Sequence, residues 1–281
     1  MSARLAYHQG CADHSRALEV SVRTALSFTL SIVAVAALGG AAAADAPDEQ
    51  LTVPEGHGVV SAAFDINLSK ESAFKPVSLS PDLWYGVTDD VTLALLHSGR
   101  ATTGFLGSVG ESLCIAGEDN GCASVYSNVA LAARLRLGTR AIATAIDASL
   151  IVGDFDPFVL STRLGLAARL RRGKVAFEAA PGFVLGLTER DAVKRDSFAV
   201  PLTLSYAATP AVALAVQSGV VVPFDETGDT YSIPLSLGVQ YAATSAIAIA
   251  GSFSLPVLAG GDAVPTGADV RTMSLGGSYA F

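Results

Sequence analysis

The chain has 281 residues, of which 51% are hydrophobic and 16% charged, with a net charge of −8. Soluble domains carry about a quarter charged residues, so this composition argues against an ordinary soluble protein. The negative balance excludes a nucleic-acid partner, which needs a basic stripe.

The mean hydropathy is +0.46, yet long apolar runs are scarce. A membrane helix needs about 20 apolar residues in a row, and only Ala25 to Ala44 offers such a run. Arg16 and Arg23 precede it, and it ends in the small residues Gly39 to Ala44. Basic, apolar, then small is the order of a secretory leader. Residues 1–44 are therefore expected to be removed on export, leaving 45–57 as a short N-terminal segment. An uncleaved helical anchor is the alternative.

From Gly58 to Phe281 the sequence alternates with period 2, as strands with one polar and one apolar face do. Twelve runs are expected: 58–68, 76–87, 91–98, 124–137, 140–152, 157–171, 174–186, 197–207, 211–222, 230–242, 246–256 and 269–281. Short connections such as Gly138-Thr139 and Arg172-Gly173 alternate with longer ones at 69–75, 99–123, 153–156, 187–196, 223–229 and 257–268. Transmembrane barrels sort their connections this way, with short turns and both termini on the periplasmic side. The expected fold is all-β, a twelve-stranded antiparallel up-and-down transmembrane β-barrel over 58–281, with 99–123 as an outer loop.

The two faces of each strand differ in character. Val125, Val129, Leu131, Leu135 and Leu137 share one side of the fourth run; Tyr126, Asn128, Arg134 and Arg136 share the other. On the sixth run, Leu160, Leu164, Leu166 and Leu170 oppose Ser161, Arg163, Arg169 and Arg171. With the apolar faces in lipid, the expected lumen-lining residues are Asp65, Asp82, Asn128, Arg134, Arg136, Asp147, Arg163, Arg169, Glu178 and Gln240. Arg134, Arg136, Arg169 and Arg171 are expected near the periplasmic mouth, with Arg163 closer to mid-height. Phe198, Tyr206, Tyr231 and Tyr241 end strands on the apolar face, where interfacial girdles belong.

Cys114 and Cys122 form an even pair in a polar stretch. An oxidising compartment allows a disulfide; a zinc site would need two further ligands, and no His lies close by in sequence. No metal or cofactor is expected. His97-Ser98-Gly99 is similar to the His-x-Ser site of outer-membrane phospholipases, but Gly99 stands where the nucleophile would be. A Ser–His pair works only within hydrogen-bond reach, so the expectation is a non-enzyme.

The chain closes on Met273-Ser-Leu-Gly-Gly-Ser-Tyr-Ala-Phe281, with Tyr279 and Phe281 on one face. This resembles the last strand of bacterial outer-membrane β-barrel proteins. The resemblance implies that the barrel-assembly machinery reads Tyr279 and Phe281, and that the protein sits in outer-membrane lipid after crossing the inner membrane. Three roles are open at this point: a narrow channel or transporter for small solutes, a closed structural or surface-display barrel acting through its loops, and a lipid-modifying barrel enzyme.

Overall fold

A computed structural model of the chain describes residues 51–281 apart from 71–72, 108–111, 123, 140–141, 191–195, 226, 263 and 265–266. The expected leader 1–44 and residues 45–50 lie outside the described residues.

The fold is a closed antiparallel barrel of twelve wall strands. The first three are β1 (Gly58–Asn67), β2 (Val77–Thr88) and β3 (Val91–Leu96). A two-residue piece, β4 (Leu113–Cys114), leads to β5 (Val129–Thr139), β6 (Ile142–Phe155) and β7 (Phe158–Arg172). The seventh wall strand comes in two parts, β8 (Val175–Ala179) and β9 (Gly182–Gly186). The wall continues through β10 (Ser197–Ala207), β11 (Val212–Pro223), β12 (Ser232–Ala242), β13 (Ile247–Gly260) and β14 (Thr272–Ala280). β1 pairs with both β2 and β14, so no edge is left open. Closure matters in lipid because each unpaired backbone group would be stranded there.

The barrel is inside-out relative to a soluble domain. Leu131 is 66% exposed and Leu164 52%, whereas Asp65 is 5%, Arg163 7% and Ser236 1% exposed. The outward leucines, valines and phenylalanines form a continuous apolar band, and the polar residues turn to the interior. Aromatic groups gather towards the two ends of the outer surface. Phe183, Phe198 and Phe224 cluster near the long-loop end, and Tyr279 stacks on Phe281 at the short-turn end.

Phe281 closes the seam. Its N–H donates to Gly58 O and its carbonyl accepts from Gly58 N–H, each at 2.9 Å. Its ring occupies the space that a Cβ on Gly58 would fill, 2.3 Å from Cζ. Deleting Phe281 removes both seam bonds and one interfacial ring. A lower folded fraction is expected in gels run without boiling; an unchanged fraction would contradict this role.

Four local departures from the alternating pattern have physical causes. The third strand stops at Leu96 rather than residue 98, because the chain leaves the wall at His97. The fourth starts at Val129 rather than 124, because Asn128 adopts φ +54° and breaks the alternation. Tyr126 consequently does not face the lumen; it stacks on the outward Phe155 at 5.6 Å. The third departure is Pro181, whose missing N–H interrupts the seventh strand, although the register of β8 and β9 against β7 is continuous. Lastly, the expected longer connection 153–156 is a tight turn at Asp156-Pro157, because β6 and β7 run on as an extended hairpin.

Candidate functional site

The lumen is narrowed from both ends by backbone that folds inward. At the long-loop end the device begins at Asp82 on β2. Its carboxylate accepts from His97 N–H at 2.7 Å, Ser98 N–H at 2.9 Å and the Ser98 hydroxyl at 2.5 Å. These three bonds turn the chain off the wall. Ser98 then caps a five-residue helix, Gly99–Thr103, by accepting from Ala101 N–H. Gly104 ends that helix in the left-handed region at φ +86°, where glycine carries no steric penalty.

Beyond Gly104 the segment reaches the far wall. Gln217 on β11 accepts from Leu106 N–H at 2.7 Å and donates to Gly104 O at 2.9 Å. The Ser236 hydroxyl on β12 donates to Leu106 O, and Gly107 lies so close to Ser254 of β13 that a Cβ would stand 2.4 Å from it. Counted round the ring, β11 is six strands from β3, the most distant position in a ring of twelve. The first part of the connection 99–123, expected outside, thus crosses the interior. Its later part returns to the wall, where β4 pairs with β2 in the place β3 vacated. The Cys114–Cys122 disulfide is formed there, so these cysteines bind each other rather than zinc.

At the short-turn end the segment before β1 also folds in. Leu51 packs against Ala143, Ala145 and Ala167 on the inner face of β6 and β7. Val53 N–H donates to the Thr92 hydroxyl at 2.8 Å, and the Thr52 hydroxyl donates to Asp89 O at 2.9 Å.

Between the two in-folded segments stands the charged cluster. Arg134 and Asp147 are directly opposed across β5 and β6 and bond in bidentate fashion, Nε to Oδ1 at 2.6 Å and Nη2 to Oδ2 at 3.0 Å. Arg134 Nη1 donates to Leu51 O at 3.0 Å, and its guanidinium stands 5.7 Å from the Trp84 ring centroid. Arg163 comes within 3.9 Å of Asp147 and donates to Ala180 O. Gly165 and Gly182 form the floor beneath its guanidinium, since a Cβ on either would sit within 3.5 Å of it. Arg169 is directly opposed to Glu178 and bonds to it at 2.5 Å. Arg136 pairs with the exposed Asp90 at the short-turn rim.

The other expected lumen residues are dispersed. Asp65 accepts from the Ser80 hydroxyl at 2.9 Å, on the β1–β2 side. Asn128 donates to His97 O and to the Thr102 hydroxyl, and so braces the in-folded segment. Gln240 is exposed on the inward face of β12 and joins neither cluster.

Three features escaped sequence reasoning. Gln217 was legible as an inward polar residue by parity; its clamp on a segment more than a hundred residues away was not. Trp84 also faces inward, over Arg134. Arg100 was hidden in a stretch counted as outer loop. Enclosed by protein yet solvent-accessible, its guanidinium has no hydrogen bond or ion pair among the described residues. Burial lowers its pKa from the ordinary arginine value, and the nearby carboxylates Glu178 and Asp82 oppose that shift. Arginine remains cationic at any physiological pH.

His97 is fully engaged as a structural group. Nδ1 meets Pro81 O at 2.6 Å, so Nδ1 carries the proton, and Nε2 accepts from the Tyr126 hydroxyl at 2.8 Å. The Ser98 hydroxyl is committed to Asp82.

No protein-family model matches the chain, and no curated protein matches it in sequence. Solved structures do resemble it. The COG4313 outer membrane channel from Pseudomonas putida F1 superposes with a TM-score of 0.55 at 15% identity, over 84% of this chain and 99% of that one. The NanC porin gives 0.55 at 6% identity, over 78% and 98%. The KdgM porin gives 0.53 at 8% identity, over 79% and 99%. At these identities the likeness is one of architecture: the chain has the fold of bacterial outer-membrane β-barrel proteins.

Proposed function

We propose that this protein is a narrow outer-membrane channel for small polar solutes, with a preference for anions. The observation that carries the reading is the lumen itself: a polar interior constricted by a clamped segment that presents the Arg100 guanidinium, which forms no ion pair among the described residues. Among the described residues, Arg134 and Arg163 meet Asp147, and Arg169 meets Glu178. Guanidinium groups in a confined, poorly screened space attract anions and repel cations. The resemblance of fold to channels and porins supports the general role and leaves the solute to this chain's own residues.

In this reading the short-turn end faces the periplasm, 1–44 directs export and is removed, and the assembly machinery engages the terminal strand through Tyr279 and Phe281. The in-folded segments at both ends favour one rival, a closed barrel that acts through its outer loops. Catalysis is the weaker reading, because His97 and Ser98 are committed to structural partners. A single-channel recording of the refolded protein in a planar bilayer separates these readings. Discrete conductance steps are expected; a silent bilayer containing verified folded barrel would favour the closed rival.

A further inference from the structure

We propose that residues 51–55 form a latch that narrows the short-turn mouth by occupying Arg134, and that its release widens the pore. The proposal rests on the channel reading above. Several contacts hold this segment at the inner wall and rim, with the Thr52 hydroxyl on Asp89 O among them. Leu51 fills a pocket floored by Ala143, Ala145 and Ala167, all small inward residues. Its carbonyl accepts from Arg134 Nη1, on a guanidinium whose Nε and Nη2 already serve Asp147. Thr92 accepts from Val53 N–H, and the Asp89 carboxylate accepts from Glu55 N–H at 3.1 Å.

The latch runs from β2, past Thr92 of β3 and Arg134 of β5, to Ala145 of β6 and Ala167 of β7, so it overlies five consecutive strands of the twelve and narrows the mouth from that side. Gly86 on β2 makes this possible. A Cβ there would stand 2.0 Å from Pro54 O and 2.4 Å from Val53 O. Both atoms are backbone, so neither can swing aside as a side chain would.

The contacts also suit reversible narrowing. Only one apolar side chain of the segment, Leu51, is buried, so little hydrophobic free energy opposes release. The hydrogen bonds add only modestly to the hold, because water replaces them on release. No bond between wall strands depends on the segment beyond Gly86, whose ladder partner Thr92 remains in place. The group bound to Arg134 is a carbonyl oxygen, so the site beneath the latch takes an oxygen acceptor, such as the carboxylate or phosphate of a passing anion.

Two variants of the full chain test the latch from opposite directions. Gly86→Ala leaves the strand pairing possible and evicts the Pro54 carbonyl; a severalfold rise in single-channel conductance is expected. In Leu51→Cys with Ala145→Cys, oxidation tethers the latch, and conductance is expected to fall and to recover on reduction. Leu51→Cys alone controls for reduction of the native Cys114–Cys122 bond. Unchanged conductance in Gly86→Ala and in the tethered protein would overturn the latch and leave the channel reading standing. Silence in both the unaltered protein and Gly86→Ala would overturn both.

Discussion

Arginine in place of Leu164 is expected to destabilise the barrel by about 2–4 kcal/mol, the penalty for a guanidinium on the lipid face near the bilayer midplane. Leu164 lies near the middle of β7 and is 52% exposed on the outward face. Its neighbour Arg163 is native, buried and paired, one residue away on the opposite face. The two positions differ in nothing but parity, so the experiment isolates the inside-out character of the fold. The single tryptophan, Trp84, reports unfolding in denaturant from within the lumen. Ser205→Arg, on the inward face of β10, is the control and is expected to lose much less stability. Equal losses at both positions would contradict the assigned faces.

The second large effect concerns the arginines. Replacing Arg134 and Arg169 together by alanine is expected to move the reversal potential in a salt gradient towards cations. It removes the bidentate partner of Asp147 and the arginine paired with Glu178, leaving Arg163 beside Asp147 and Arg100 near Glu178. Breaking a buried ion pair costs about 3–5 kcal/mol. Lumen water reaches Arg134, and Arg163 partly compensates Asp147, so a loss of about 2–3 kcal/mol is expected for Arg134→Ala. Arg100→Gln behaves differently. It orphans no carboxylate, so the reversal potential is expected to move the same way with little change in stability. A change in stability without a change in selectivity would mean that Arg100 supports the fold rather than the path.

Much of this architecture is legible in the sequence because a strand repeats every two residues. One register slip would turn Arg134, Arg163 and Arg169 into lipid together, so their parity leaves a single placement. The same logic fixed the apolar band and placed Arg169 and Glu178 on the inward side of adjacent strands; that they pair is seen only in the structure. What stayed hidden depends on contacts that no period encodes. His97 and Ser98 continue the alternation of the third strand, and only the Asp82 carboxylate, fifteen and sixteen residues earlier, turns them out of the wall. The clamp of Gln217 on Leu106 spans 111 residues, and the hold of Arg134 on Leu51 spans 83. Tyr126 was misassigned because a single left-handed residue, Asn128, shifts the parity of everything before it. The lumen's walls can be read locally, whereas its obstructions are tertiary.

The zero-current potential of the unaltered, refolded protein across a tenfold salt gradient tests the account most directly. It requires at once that the barrel folds in lipid, that its lumen holds mobile ions, and that the arginine cluster with Arg100 sets their sign. The expected result is discrete conductance with a reversal potential of the sign given by anion preference. Conductance with a cation-selective reversal potential would contradict the assigned lumen electrostatics, and no conductance in either the unaltered protein or Gly86→Ala would contradict the channel itself.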